Sequence, residues 1–82
     1  MKDVDFILES DETLKPSERL VLLLLEKHRI LYTNDLLALS NLSYKTLTDS
    51  LTELVVKSYV LKDTGKGRRQ NCYRLIWKLL YL

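Results

Sequence analysis

The sequence has little cysteine or histidine and no long hydrophobic run. Its single cysteine, Cys72, excludes an internal disulfide framework and a multi-cysteine zinc site. Its single histidine, His28, stands at the end of a helical pattern, where it is expected to cap the helix rather than bind a metal. The longest apolar run, Leu20–Leu25, is far shorter than the roughly 20 residues that span a bilayer. We expect no metal site, no membrane span and no signal peptide, and a cytoplasmic location with Cys72 reduced.

Glycine is also scarce, and its placement excludes the usual phosphate-binding motifs. Gly65-Lys66-Gly67 lacks the earlier glycine and the following Ser or Thr that a P-loop requires. Gln70 occupies the position of the last glycine in a dinucleotide fingerprint. The sequence shows no acid–base pair, nucleophile motif or metal cluster. We therefore expect a protein that is not an enzyme and uses no cofactor.

Leucine and an uneven charge distribution are what the sequence has instead. Twenty of its 82 residues are leucine, which compensates for the small share of surface that so short a chain can bury. Residues 1–14 carry a net charge of −4, whereas residues 57–78 carry +6. A basic second half indicates either an anionic partner or a solvated basic loop.

The chain divides into three parts on its composition. Residues 1–14 are an acidic arm or a short helix, residues 15–76 form the main domain, and residues 77–82 are an apolar tail. Pro16 and Glu18 are typical of a helix start, and the helix is predicted over residues 17–28. Its apolar residues fall on two sides, with Leu20, Leu23 and Leu24 on one and Leu22 and Leu25 outside it. Such a helix needs two partners, the core and either the arm, the tail or a second subunit.

Two further helices and a tight turn are predicted in the middle of the chain. After a short β-prone piece at residues 30–32, Thr33 is the expected N-cap of a helix over residues 34–39 that buries Leu36 and Leu39. Asn41 favours the left-handed conformation that ends a helix, and Ser43 is the next expected N-cap.

The second of these helices is predicted over residues 44–57, and a β-hairpin follows it. One helix face is expected to carry Leu47, Leu51, Leu54 and Ser58. Strand patterns at residues 59–63 and 72–76, joined by a polar Gly-containing loop, predict the hairpin.

Two helices about three residues apart are typical of a helix-turn-helix unit. With the hairpin, the sequence over residues 14–75 resembles the winged helix-turn-helix family, especially small MarR-like regulators. The segments that carry this resemblance are Lys15-Pro16-Ser17-Glu18 before Val21–Glu26, Thr33-Asn34-Asp35-Leu36, Asn41-Leu42-Ser43 with Thr46-Leu47, Leu51-Thr52-Glu53-Leu54, Lys57-Ser58-Tyr59-Val60, and Arg69 with Tyr73-Arg74-Leu75. The resemblance implies a mostly helical α+β fold with a three-helix core and a β-hairpin wing.

The same resemblance implies a DNA-binding site on the third helix and the wing. The third helix would enter the major groove and the wing would reach phosphates or the minor groove. The implied DNA-binding residues are Thr33, Ser43, Tyr44, Lys45, Thr46, Thr48, Lys66, Arg68, Arg69, Gln70 and Asn71.

Four positions depart from the family pattern. Leu37 stands where alanine is usual, Ser40 where an apolar residue is usual, and Ser58 where glycine is usual. Asp49 stands where a basic residue is common, and a carboxylate there opposes phosphate. The long C-terminal dimer helix of many relatives has no counterpart beyond residues 77–82.

We expect a sequence-specific binder of double-stranded DNA that acts as a transcriptional regulator and forms a homodimer. The dimer is expected because helix 17–28, the arm and the tail offer more apolar surface than a small core buries. Two half-sites would also raise the modest affinity of one short helix. The alternatives are a winged-helix module that binds proteins, with Val56 exposed to the partner, and a replication or plasmid-maintenance factor.

Overall fold

Four α-helices and a three-stranded antiparallel sheet form the part of the chain that the computed structural model describes, residues 3–63 and 71–76. The α+β, mostly helical class is confirmed, and the element order is compatible with a winged helix. In chain order the elements are α1 (Asp3–Ser10), α2 (Pro16–His28), β1 (Ile30–Tyr32), α3 (Thr33–Ser40), α4 (Tyr44–Val56), β2 (Val60–Asp63) and β3 (Cys72–Leu75).

The sheet has β3 in its centre, with β1 and β2 on either side. Cys72 lies opposite both Tyr32 and Asp63, so β1, β2 and β3 meet in register at one end of the sheet. The amide of Ile76 donates to the carbonyl of Tyr59 at 3.1 Å, which extends the hairpin by one residue on each strand. Tyr73 and Leu75 face the core, as their alternation predicts.

The core lies where α2, α3 and α4 pack together against the sheet. On α2 the buried face is the one with Val21, Leu22 and Leu25, while Leu23 is exposed and Leu20 and Leu24 are half-buried. On α4 the stripe Leu47, Leu51 and Leu54 is buried in the same cluster. The arm is a helix, α1, which adds Ile7 to the core and contacts α2.

Glu18 is a buried carboxylate that fixes the start of α2. Its Oε1 accepts from the Lys15 amide at 2.9 Å, which satisfies one donor left without a partner at the helix start. Pro16 occupies the first turn, where its missing N–H is harmless. The Ser17 hydroxyl lies 2.7 Å from that of Ser50, which joins the start of α2 to the buried face of α4.

The turn between α3 and α4 spans residues 41–43 and forms as the sequence predicts. Asn41 adopts the left-handed conformation, with φ 62° and ψ 21°. The Ser40 hydroxyl accepts from the Leu42 amide at 3.2 Å, so its polar group is satisfied although the residue is buried. Ser43 is the N-cap of α4, and its hydroxyl accepts from the Thr46 amide at 3.2 Å.

Two predictions for α3 and one for α4 are wrong. Tyr32, not Thr33, is the N-cap of α3, because Asp35 reaches back to accept from the Tyr32 amide at 3.1 Å and helical geometry already begins at Thr33. Leu39 is 47% exposed, since Leu36 and Ser40 are the residues of α3 that face the core. Ser58 lies beyond the end of α4 and is exposed.

Ser58 instead forms the left-handed residue of a Schellman cap. Its φ is 67°, its amide donates to the Val55 carbonyl at 3.0 Å, and the Tyr59 amide donates to the Leu54 carbonyl at 3.0 Å. A side chain with a Cβ carries a steric penalty in this conformation. This explains in physical terms why glycine suits the position.

A polar cluster around Asp11 joins the α1–α2 connection to the turn after α4. The carboxylate of Asp11 accepts from the Thr13 amide and hydroxyl and, at 2.8 Å, from the Tyr59 hydroxyl. Lys57 Nζ lies 3.4 Å from the Asp11 carboxylate and donates to the Thr13 hydroxyl at 2.7 Å. The hydrogen bonds from Thr13 and Tyr59, with the charge of Lys57, hold the pKa of Asp11 well below its usual range. Burial and the bond to Asp11 raise the pKa of Tyr59 to about 12.

Replacing Ser58 with glycine is expected to stabilise the fold by about 0.5–1 kcal/mol, because the strain at positive φ exceeds the added entropy of the unfolded chain. Urea unfolding followed by circular dichroism measures the change. Ser58→Ala keeps the Cβ and is expected to bring no gain. A glycine variant less stable than the wild type would contradict the strained cap.

Asp11 is expected to make the fold sensitive to acid. Its folded-state pKa lies below the ordinary value of 3.8, so its contribution is complete above that pH and is lost as the pH falls further below it. The unfolding free energy of Asp11→Asn should therefore fall less between pH 4 and pH 2 than that of the wild type.

Carboxyl NMR titration should show the pKa of Asp11 rising in Tyr59→Phe. Tyr44→Phe, an exposed tyrosine on α4, should leave it unchanged, and an unmoved pKa in Tyr59→Phe would refute the cluster.

Candidate nucleic-acid interface

The outward face of α4 is the surface that the helix-turn-helix arrangement presents. Because Leu47, Leu51 and Leu54 fix one side of α4 in the core, the opposite side must face solvent. This exposed side carries Lys45, Asp49, Thr52, Glu53 and Val56. Tyr44, at the first helical position, is 65% exposed.

The start of α4 is open and free of acidic residues in its first turn. Backbone amides at a helix start point outward and attract anions. Ser43, Tyr44, Lys45 and Thr46 are all exposed at this end, and Thr48 is half-buried. The five residues between positions 43 and 48 that the sequence predicts to bind DNA therefore lie together at one end of the helix.

The hydroxyl groups of this surface already bond within the helix. Ser43 donates to the Thr46 hydroxyl at 2.9 Å, and Thr48 donates to the carbonyl of Lys45 at 3.1 Å. Thr52 donates in turn to the Thr48 carbonyl at 2.9 Å. The protons of the Ser43, Thr48 and Thr52 hydroxyls are therefore donated within the helix, whereas the Thr46 hydroxyl accepts; the oxygens remain able to accept further hydrogen bonds.

Lys45 and Asp49 form an ion pair one turn apart on the outward side of α4. Lys45 Nζ lies 3.2 Å from Asp49 Oδ2, and the side chains are 87% and 68% exposed. A solvent-exposed pair of this spacing stabilises a helix by only about 0.3–0.5 kcal/mol. Both charged groups can therefore leave each other for a better partner at little cost.

An acidic groove runs between the start of α2 and α4. It has a volume of about 540 Å³ and lies beside the interface residue Thr46. Its charged lining consists of Lys15 and the carboxylates Glu18, Asp49 and Glu53. Because the net charge of this lining repels phosphate, a DNA backbone would approach α4 from the other flank, where Tyr44 and Thr48 lie.

The root of the hairpin lies beside the start of α3. Thr33 donates to the carbonyl of Asn71 through its amide at 3.2 Å and through its hydroxyl at 3.4 Å. Both residues are half-buried, and their hydrogen bonds join the start of β3 to the start of α3. The other predicted hairpin residues, Lys66, Arg68, Arg69 and Gln70, lie outside the described residues, as does the apolar tail at 77–82.

The exposed face of the sheet combines apolar side chains with a basic side chain, that of Arg74. Ile30, Arg74 and Leu61 lie side by side across β1, β3 and β2, and all three are exposed. Cys72 is buried in the same strand. Val56 is 72% exposed at the far end of α4. These residues provide a second surface that differs in chemistry from the start of α4.

The described residues offer neither a metal-binding cluster nor a membrane-spanning helix. Within residues 3–63 and 71–76, no group of three or more His, Cys, Asp and Glu side chains is arranged to hold a metal ion. No helix in these same ranges combines the length and apolar character needed to cross a bilayer.

Sequence reasoning identified Glu18 as a helix-start residue but not its burial, and it missed the hydroxyl pair of Ser17 and Ser50. That pair joins the start of α2 to the buried face of α4. The capping-box spacing of Lys15 and Glu18 is a signal that the Glu18 carboxylate turns back to the helix start. Ser50 offers no such signal, because its partner lies 33 residues away in the sequence.

Comparison with known proteins gives no family assignment. No family model, no curated protein and no solved structure matches this chain. The function is therefore inferred from the residues and geometry of the chain itself.

Proposed function

We propose that this protein binds double-stranded DNA sequence-specifically, with α4 in the major groove, and acts as a transcriptional regulator. The observation that carries the proposal is the placement of α4. It follows α3 after a three-residue turn, its apolar stripe is fixed in the core, and its exposed start carries Tyr44, Lys45 and Thr46. A helix presented in this way fits the width of the major groove.

The charge pattern supports the same orientation. Lys45 and the amides at the start of α4 favour phosphate or guanine, whereas Glu18 and Glu53 mark the flank that would face away from DNA. In the sequence, Lys66, Arg68 and Arg69 fall between Asp63 and Asn71, and Asn71 lies beside Thr33. Contacts from Lys66, Arg68 and Arg69 to the sugar-phosphate backbone would position α4 without reading sequence.

A homodimer is part of this proposal. Leu23 is exposed on α2, and the half-buried Leu20 and Leu24 extend its apolar surface. Two copies joined through this stripe would present two α4 helices to one duplex, and the second contact would then be intramolecular. A replication or plasmid-maintenance factor would use the same interface, and the identity of the bound site separates it from a repressor.

A protein-binding module is the second candidate, because apolar residues are exposed away from α4's start. Ile30 and Leu61 flank Arg74 on the sheet, and Val56 ends α4. A partner protein would bury these groups and leave the basic loop unused. DNA affinity that is weak and unchanged in the double variant Arg68→Ala, Arg69→Ala would favour this candidate.

Binding to a duplex is expected to weaken at least tenfold between 50 and 200 mM salt, because each phosphate contact releases counterions. Fluorescence anisotropy with a labelled random duplex measures it. Lys45→Ala should weaken binding by about tenfold. Lys27→Ala, an exposed lysine in the last turn of α2, should change it less than twofold. Equal losses in the two variants would contradict the role of α4.

The purified chain is expected to sediment as a dimer at micromolar concentration. Leu23→Glu places a charge in the α2 stripe and should produce monomers. Leu39→Glu is the matched control, since Leu39 on α3 is 47% exposed and Leu23 is 44% exposed. A wild-type monomer, or a dimer unaffected by Leu23→Glu, would exclude this α2 dimer.

A further inference from the structure

Asp49 is an acidic residue on the outward side of α4 that is paired with a lysine. Its Oδ2 lies 3.2 Å from Lys45 Nζ. Both side chains extend into solvent, and Asp49 lies at the edge of the acidic groove, on the boundary of the surface that the proposed function places against DNA. A carboxylate here lowers affinity for any backbone that passes it, so a contact with DNA has to compensate this repulsion.

Only two groups on the major-groove edges can donate to a carboxylate. They are the N4 amino group of cytosine and the N6 amino group of adenine. Adenine presents its N7 acceptor next to that amino group, which repels a second carboxylate oxygen, whereas cytosine presents only the donor. Asp49 therefore prefers cytosine. Lys45, beside it, is a donor and prefers the O6 and N7 acceptors of guanine.

Resting on the proposed function, we propose that Lys45 and Asp49 together read a guanine and a cytosine in the major groove, with Asp49 selecting cytosine. The two side chains leave α4 one turn apart on the same face and their charged groups meet at 3.2 Å, so both can be directed at the same base pair or at adjacent pairs. In the free protein the two groups neutralise each other. On the DNA sequence that they recognise, Lys45 and Asp49 separate, and each forms hydrogen bonds with the edge of a nucleobase instead.

The hydroxyl groups next to Lys45 and Asp49 already form hydrogen bonds within the helix. Thr48 and Thr52 donate to the helix backbone, and Ser43 and Thr46 bond to each other. Lys45 and Asp49 place a charged donor beside a charged acceptor on the exposed side of α4. Asp49 also penalises wrong sequences, because opposite a thymine or guanine its carboxylate faces acceptors only.

The test is a selection of bound sequences from a random duplex pool, made with the full chain and three variants. The wild type should enrich cytosine at one position by about tenfold or more. Asp49→Ala should lose the preference at that position alone and bind random duplex several-fold more tightly. Asp49→Asn should change the preference from cytosine to adenine, because an amide pairs with adenine N6 and N7.

Glu53→Gln is the matched control, since Glu53 is an exposed acid one turn further along α4. It should keep the wild-type cytosine preference. A cytosine preference retained in Asp49→Ala, or a wild type that binds DNA with no guanine or cytosine enrichment, overturns this inference and leaves the proposed function in place. A wild type that binds no duplex at all overturns the proposed function as well.

Discussion

The packing of α4 across α2 is the constraint on which the rest of the molecule depends. Leu47, Leu51 and Leu54 share one buried cluster with Val21 and Leu25 of α2. The period of that stripe fixes the rotation of α4, and the rotation decides which side chains face solvent. The Ser17–Ser50 hydroxyl pair adds a directional contact at the same seam. The interface at the start of α4 is therefore a consequence of core packing.

Electrostatics then divides the exposed surface of α4 into two flanks. The groove with Glu18 and Glu53 repels an anionic backbone, while the open amides behind Ser43 attract one. Asp49 lies on the boundary and is neutralised by Lys45. In the proposed complex, an acid in this position would weaken indiscriminate binding to a polyanion and would help to select among sequences. Affinity would then come from the backbone contacts and specificity from this pair.

Local signals in the sequence predicted the turn and the start of α4, because Asn41 and Ser43 have conformational and capping preferences that need no tertiary context. The leucine stripe of α4 was predictable for the same reason. The exposure of Leu39 was not, since the short α3 can orient only one narrow face and Leu36 and Ser40 occupy it. The Asp11 cluster joins residues 44 to 48 positions apart, which local patterns do not encode. The hairpin residues Lys66, Arg68, Arg69 and Gln70 stay a prediction.

The placement of DNA on α4 is tested by amide chemical-shift mapping of the isotope-labelled chain during titration with a mixed-sequence duplex at low salt. We expect the amides of Tyr44, Lys45 and Thr48 to shift first and most, with smaller shifts at Thr33 and Asn71. Shifts confined to Ile30, Leu61 and Arg74 on the sheet, or no shift at any duplex concentration, would contradict the placement of DNA on α4.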